Sequence, residues 1–147
     1  MLIKNSNKKV LIVGCGRFGS NLASSLCNAN YDVSVIDKDK SAFNRLSETF
    51  TGFEIVGDAS DLDTLKSCEI SNCDMVLVAT DNDNTNCMIA QIANTIYNIG
   101  NVYIRLNDPD KEKLLLGSSI KAIYPSRLSL KEFENISNIH FEKALRV

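Results

Sequence analysis

The chain has 147 residues, 44% of them hydrophobic and 23% charged, a composition that supports one packed domain and excludes wholesale disorder. Its formal net charge is only −2, with 16 Lys and Arg scattered among 18 Asp and Glu, so no basic face is available and no nucleic-acid partner is expected. Apolar runs such as Val10–Val13 are far too short to span a bilayer and no signal peptide is visible, so a cytoplasmic location is expected.

The elements alternate short β-branched runs with longer amphipathic stretches, the pattern of β-α-β units on a parallel sheet. Strand one is Val10–Val13. Directly behind it Gly14, Gly16 and Gly19 stand in G-x-G-x-x-G spacing and open a helix. Gly14 permits a tight turn, Gly16 lets the backbone approach a pyrophosphate, and Gly19 lets the helix pack closely on the sheet, while the free N–H groups of the helix start face the anion. Arg17 falls in the first helical turn, where a cation is disfavoured by the helix dipole unless an anion is bound there. It is read either as a phosphate ligand or as a solvated surface side chain.

Strand two is Val33–Ile36. Asp37 follows it, eighteen positions after Gly19, where an acid hydrogen-bonds ribose hydroxyls in dinucleotide-binding folds, although an Asp there can also cap the next helix. Ala42, Leu46 and Phe50 recur at spacings of four and predict one face of a helix. Strand three, Phe53–Val56, runs into the turn Gly57-Asp58-Ala59-Ser60, in which Asp58 is placed to meet an adenine, or Asp58 or Ser60 to cap a helix.

Strand four, Met75–Ala79, ends on Ala79, Thr80 and Asp81 at the crevice where the strand order should reverse. The polar run Thr80–Asn86 supplies helix caps, and Met88, Ile89, Ile92, Ala93 and Ile96 form the apolar stripe of the helix behind it. Strand five, Val102–Leu106, carries Arg105, which can reach the same crevice or pair with Asp108 or Asp110. Strand six is Ala122–Tyr124. Pro109 and Pro125 mark the ends of the last two strands. Beyond Pro125 the spacing of Leu130, Phe133, Ile136 and Ile139 predicts an amphipathic helix. The expected fold is α/β, a Rossmann-like doubly wound sheet of six parallel strands in the order 3-2-1-4-5-6 with an additional C-terminal helix.

Five cysteines form no C-x-x-C pair and His140 is the sole histidine, so no metal site is expected and the thiols are read as reduced and mostly packed. Cys15, near a helix start, is either a thiol of depressed pKa or simply a small residue in a tight turn.

The blocks VLIVGCGRFGSNLASSL, VSVIDKD, IVGDASDLDTL, DMVLVATDNDNTN and VYIRLNDPD, in this order and spacing over about residues 8–125, resemble the nucleotide-binding half of the RCK or KTN (TrkA-N type) regulators of potassium conductance. The resemblance implies a nucleotide-binding domain over residues 1–125 and a crossover or dimerisation helix and tail over 126–147. It implies a non-enzymatic regulator that binds NAD(H), ADP or ATP, forms homodimers within octameric rings, and acts at the inner face of the membrane on a potassium channel or transporter. Gly14, Gly16, Arg17, Phe18 and Gly19 would surround the phosphates, Asp37 with neighbouring Lys38 the ribose, and Asp58 and Ala59 the adenine. Ala79, Thr80, Asp81 and Arg105 would line the rest of the crevice.

Two departures stand out. Pro125 is followed by Ser126 where the family often has Glu, which takes away an acid for a divalent cation. The chain also ends about twenty residues after strand six, as a shortened piece or as a subunit without the family's second ligand domain.

The rival readings are an NAD-dependent oxidoreductase domain lacking or sharing its substrate domain, and an interaction module with a vestigial site. Against the oxidoreductase, six strands and their helices use nearly the whole chain, and His140 lies away from the crevice. Asp37 should disfavour NADP(H), because a 2′-phosphate there would meet a like charge. The stripe from Leu130 to Ile139 should make the chain a two-fold dimer, unless that helix folds back on its own sheet.

Overall fold

The computed structural model describes residues 8–141; residues 1–7, and 142–147 of the expected tail, lie outside the described residues. Six strands, β1 (Lys9–Val13), β2 (Asp32–Asp37), β3 (Phe53–Val56), β4 (Met75–Val78), β5 (Asn101–Arg105) and β6 (Lys121–Ile123), form one sheet in the order β3-β2-β1-β4-β5-β6. Every neighbouring pair is parallel, as the sequence predicts. The α-helices are α1 (Arg17–Asn28), α2 (Leu62–Ser67), α3 (Asp83–Gln91) and α4 (Pro125–Ser137).

The pleat of β1 shows how the sheet divides the core. Val10 and Ile12 point into one layer with Ala23 of α1, while Leu11 and Val13 point into the other with Leu65 of α2 and Ile89 and Ala90 of α3. All of these are buried, and each large aliphatic side chain so placed contributes roughly 1.5–3 kcal/mol of hydrophobic stabilisation.

Two local expectations are corrected. The segment after β2 is a 3-10 helix over Lys40–Arg45, not an α-helix continuing to Phe50, because Leu46 turns extended and ends it. Ala42, Leu46 and Phe50 still pack on the core from a shorter path. Helix α3 runs into a π-helical turn over Ile92–Ile96, closed by Tyr97 N–H donating to the Ile92 carbonyl at 3.2 Å. The extra residue in that turn rotates the stripe, so Ile89 and Ala93 are buried while Ile96 is 63% exposed. A further 3-10 helix, Pro109–Leu115, follows β5 and has Pro109 in its first turn behind the capping Asp108, while Pro125 likewise opens α4.

Helix α4 does not bury its stripe in the described fold. Leu130 is half-buried, but Phe133 and Ile136 are 46% and 74% exposed, and Ile139, expected on the same helix, lies beyond its Asn138 cap at 52% exposure. No helix among the described residues is long and apolar enough to cross a membrane.

Candidate functional site

The carboxyl ends of β1 to β5 converge on a cleft of about 540 Å³, at the point where the chain switches from the β1-β2-β3 half of the sheet to the β4-β5-β6 half. Its first wall is the glycine turn. Gly14 has φ +100°, and a Cβ there would lie 2.7 Å from the Ala79 carbonyl oxygen, so both backbone conformation and the approach to β4 demand glycine. Its N–H extends the β2 ladder by donating to Ile36 O at 2.8 Å. Gly19 packs beneath the turn: a Cβ would stand 2.0 Å from the Gly14 oxygen. Gly16 differs from both. A Cβ there would meet nothing within 4 Å, and the residue faces the cleft.

Helix α1 begins on Gly16 without a side-chain cap and without an acid in its first turn. By contrast, Asp61 caps α2, Asn82 caps α3, and Asp39 and Asp108 cap the 3-10 helices Lys40–Arg45 and Pro109–Leu115; α4 also starts without a side-chain cap, at Tyr124, but Tyr124 is not among the residues that line the cleft. The start of α1 therefore keeps unsatisfied N–H donors beside an open glycine, a geometry that accommodates an anion.

Asp37 joins this wall to the next. One carboxylate oxygen accepts from the Cys15 N–H at 2.8 Å, bracing the glycine turn, and the other accepts from the Asp39 N–H at 2.8 Å. An ionised carboxylate has about four acceptor positions, so capacity remains for ribose hydroxyls. Asp58 accepts from both the N–H (2.9 Å) and the hydroxyl (2.6 Å) of Ser60, and these bonds hold its carboxyl below the usual range, the hydroxyl contributing most. It closes the turn before α2 but does not cap that helix; Asp61 does. Burial pushes the Cys15 thiol up to about 11, the Asp37 carboxylate adding to the effect, so Cys15 is a packed thiol and not an activated one.

The opposite wall is a side-chain network. Asn86 of α3 is completely buried; it accepts from the Thr80 N–H at 3.1 Å and from the Thr80 hydroxyl, and donates to Thr80 O and to Arg105 O, each at 3.0 Å. Arg105 Nη2 donates to the same Thr80 carbonyl at 2.7 Å, which turns its guanidinium toward the cleft and away from the alternative partners Asp108 and Asp110.

Of the residues expected from sequence, Gly14, Gly16, Asp37, Lys38, Asp58, Ala59, Ala79, Thr80, Asp81 and Arg105 line this one cleft. Three do not: Arg17 is exposed at the start of α1, Phe18 packs on the core, and Gly19 supports the turn from below. The structure adds Arg45, from the end of the first 3-10 helix, and the buried Asn86. Asn86 closes the block DMVLVATDNDNTN without being singled out there, and Arg45 lies in none of the quoted blocks. No cluster of three or more His, Cys, Asp or Glu able to hold a metal occurs among the described residues.

The TrkA-N domain model matches residues 10–125. The chain belongs to the TrkA-N domain family. It is 34% identical over 105 residues to the Trk system potassium uptake protein TrkA of Streptomyces coelicolor, covering 71% of this chain and 47% of that protein. The chain thus spans about half the length of that relative. Among solved structures, the GsuK RCK domain superposes with a TM-score of 0.74 at 20% identity, over 88% of this chain and 28% of that one. The GsuK channel bound to NAD gives 0.68 at 15% identity, over 86% and 23%. The Kef CTD of Shewanella denitrificans in AMP-bound form gives 0.68 at 19%, over 95% and 86%. At these identities the superpositions establish that the TrkA-N chain shares their fold.

Proposed function

We propose that this TrkA-N domain is a regulatory nucleotide sensor for potassium transport, in which an adenine nucleotide bound in the cleft biases the arrangement of paired domains. The observation that carries the reading is the uncapped start of α1 at Gly16, opening onto the same cleft as Asp37. Phosphates would lie on the Gly14–Gly16 turn with Arg17 within reach of the outer ones, the ribose on Asp37, and the adenine beside Asp58 and Ala59. The NAD-bound and AMP-bound proteins of like fold support an adenine nucleotide as the ligand class. The likeness to a potassium uptake protein supports a role in potassium transport.

NAD(H), ADP and ATP are favoured over NADP(H). Asp37, Asp39 and Asp58 outnumber the cations Lys38 and Arg45 at this end of the cleft, so a 2′-phosphate would enter a field of its own sign. The exposed apolar side chains of α4 support a homodimer; its place within an octameric ring at the cytoplasmic face of a membrane potassium channel or transporter rests on the family resemblance alone. For occupancy to act as a signal, the ligand must bind one arrangement of the pair more tightly than the other. Calorimetric titration with NADH, NADPH, ADP and ATP, alongside a turnover assay with reduced cofactor and common acceptors, tests the proposal. Saturable binding without turnover is expected; turnover, or preference for NADPH, counts against it.

A further inference from the structure

The wall of the cleft opposite the glycine turn depends on one side chain that never faces the ligand. Asn86 has no exposed surface, and the amide's two acceptor positions and two donors are all engaged, split between the end of β4 and the end of β5. Such full satisfaction at a completely buried amide fixes geometry, because moving either strand end would leave a buried polar group without its partner. Both of its carbonyl partners bear on Arg105. One is the carbonyl of Arg105 itself, and the other is Thr80 O, which also receives the guanidinium Nη2. Backbone and head group of Arg105 are therefore both located through Asn86.

One atom in this network is left over. Arg105 Nε is buried and has no hydrogen-bond partner among the described residues, although Arg105 lines the cleft. A buried donor without an acceptor is uncommon and asks for an explanation. A guanidinium held against Thr80 O with donors to spare is a pre-oriented cation, which loses less side-chain freedom on meeting a ligand oxygen than a free arginine would.

We propose that Asn86 is a positioning residue of the nucleotide cleft, which sets Arg105 for the charged part of the ligand by tying the ends of β4 and β5 to α3. The proposal rests on the nucleotide-binding reading given above. It also gives the cleft a mechanical link: a ligand that pulls on Arg105 pulls, through Asn86, on α3.

A double-mutant cycle separates positioning from general structural support. Asn86→Ser and Arg105→Gln are made singly and together in the full chain, and each variant is titrated with ADP and with adenosine while its unfolding is followed. Asn86→Ser should weaken ADP about tenfold in the wild-type background, the scale of one hydrogen bond to a charged group, and less than twofold when Arg105 is already Gln. Adenosine affinity should change less than twofold throughout. Should Asn86→Ser prove too unstable to titrate, the near-isosteric Asn86→Asp, which keeps the acceptors and loses both donors, takes its place in the same cycle. An equal loss of ADP affinity in both Arg105 backgrounds, or an equal loss for ADP and adenosine, would overturn the positioning role while leaving nucleotide binding intact. Failure of the wild type to bind ADP would instead remove the functional reading and this proposal with it.

Discussion

The two walls of the cleft are built on opposite principles. The β1 wall is shaped by missing side chains: Gly14 and Gly19 are glycines because a single carbon would collide with backbone, and Gly16 because the space above it is left open. The β4-β5 wall is shaped by side chains that reach far along the sequence, with Asn86 bonding Arg105 nineteen positions away and Arg105 bonding Thr80 across twenty-five. The first wall is rigid through steric exclusion, which has no partial failure. The second is held by hydrogen bonds that substitution can remove one at a time, so its contribution can be dissected bond by bond.

The sharpest way to break this contrast is Gly19→Ala. With a Cβ 2.0 Å from the Gly14 oxygen, helix and turn must separate, and denaturant unfolding should show a loss of about 3 kcal/mol or more. Gly14→Ala should be comparable, adding strain at φ +100° to the contact with Ala79. If either variant kept wild-type stability, steric exclusion would not be what builds the first wall.

Asp37→Ala comes next. It removes the acceptor for Cys15 and Asp39 N–H and the proposed ribose contact, so nucleotide affinity should fall by roughly 1.5–3 kcal/mol, read by titration. Indifference of affinity to this change would place the ribose elsewhere.

A smaller effect follows from the buried thiols. Cys15 and Cys73 are both pushed up to about 11, chiefly by burial, so the unfolded chain releases these protons at lower pH than the folded one. Their contribution to stability is complete below pH 9 and is lost as pH rises toward 11. Urea midpoints at pH 8 and 10.5 should show the decline, and Cys15→Ala together with Cys73→Ala should reduce its slope. The smallest effect is expected of Arg17→Gln. Arg17 is exposed and outside the cleft lining, so it should cost ATP more than ADP and adenosine almost nothing, with stability unchanged.

Most of the sheet and the whole glycine wall are legible in the sequence because their causes are local. β-branched runs give the strands, the G-x-G-x-x-G spacing gives the turn, and Asp37 follows at the spacing a β-α-β unit imposes. The strand order follows from handedness rules and needs no long-range information. What could not be read is where a local cue competes with packing. The apolar spacing of Ala42, Leu46 and Phe50 fits a helix, yet the chain reaches the same core by a 3-10 helix and an extended Leu46. In α3 the stripe predicts a buried Ile96, but the π turn rotates it outward. Asn86 and Arg45 were invisible as site residues for a different reason. An Asn inside one helix and an Arg at the end of another carry no spacing that marks a ligand contact, and only the fold brings them to the cleft wall. Arg17 shows the converse: its place beside the glycines is plain from the sequence, but the helix leaves it exposed and outside the cleft lining.

An open glycine at the start of α1 that exists for a ligand and not for the fold has a direct test in Gly16→Ala. Nothing lies within 4 Å of the added carbon and φ is −76°, so unfolding free energy should stay within about 1 kcal/mol of wild type. Titration with ADP and NADH should nevertheless show saturable binding to the wild type and at least a tenfold loss in Gly16→Ala, because the methyl group occupies the space where a phosphate would approach the helix N–H groups. Binding by Gly16→Ala equal to wild type, or no saturable binding by the wild type, would contradict the account.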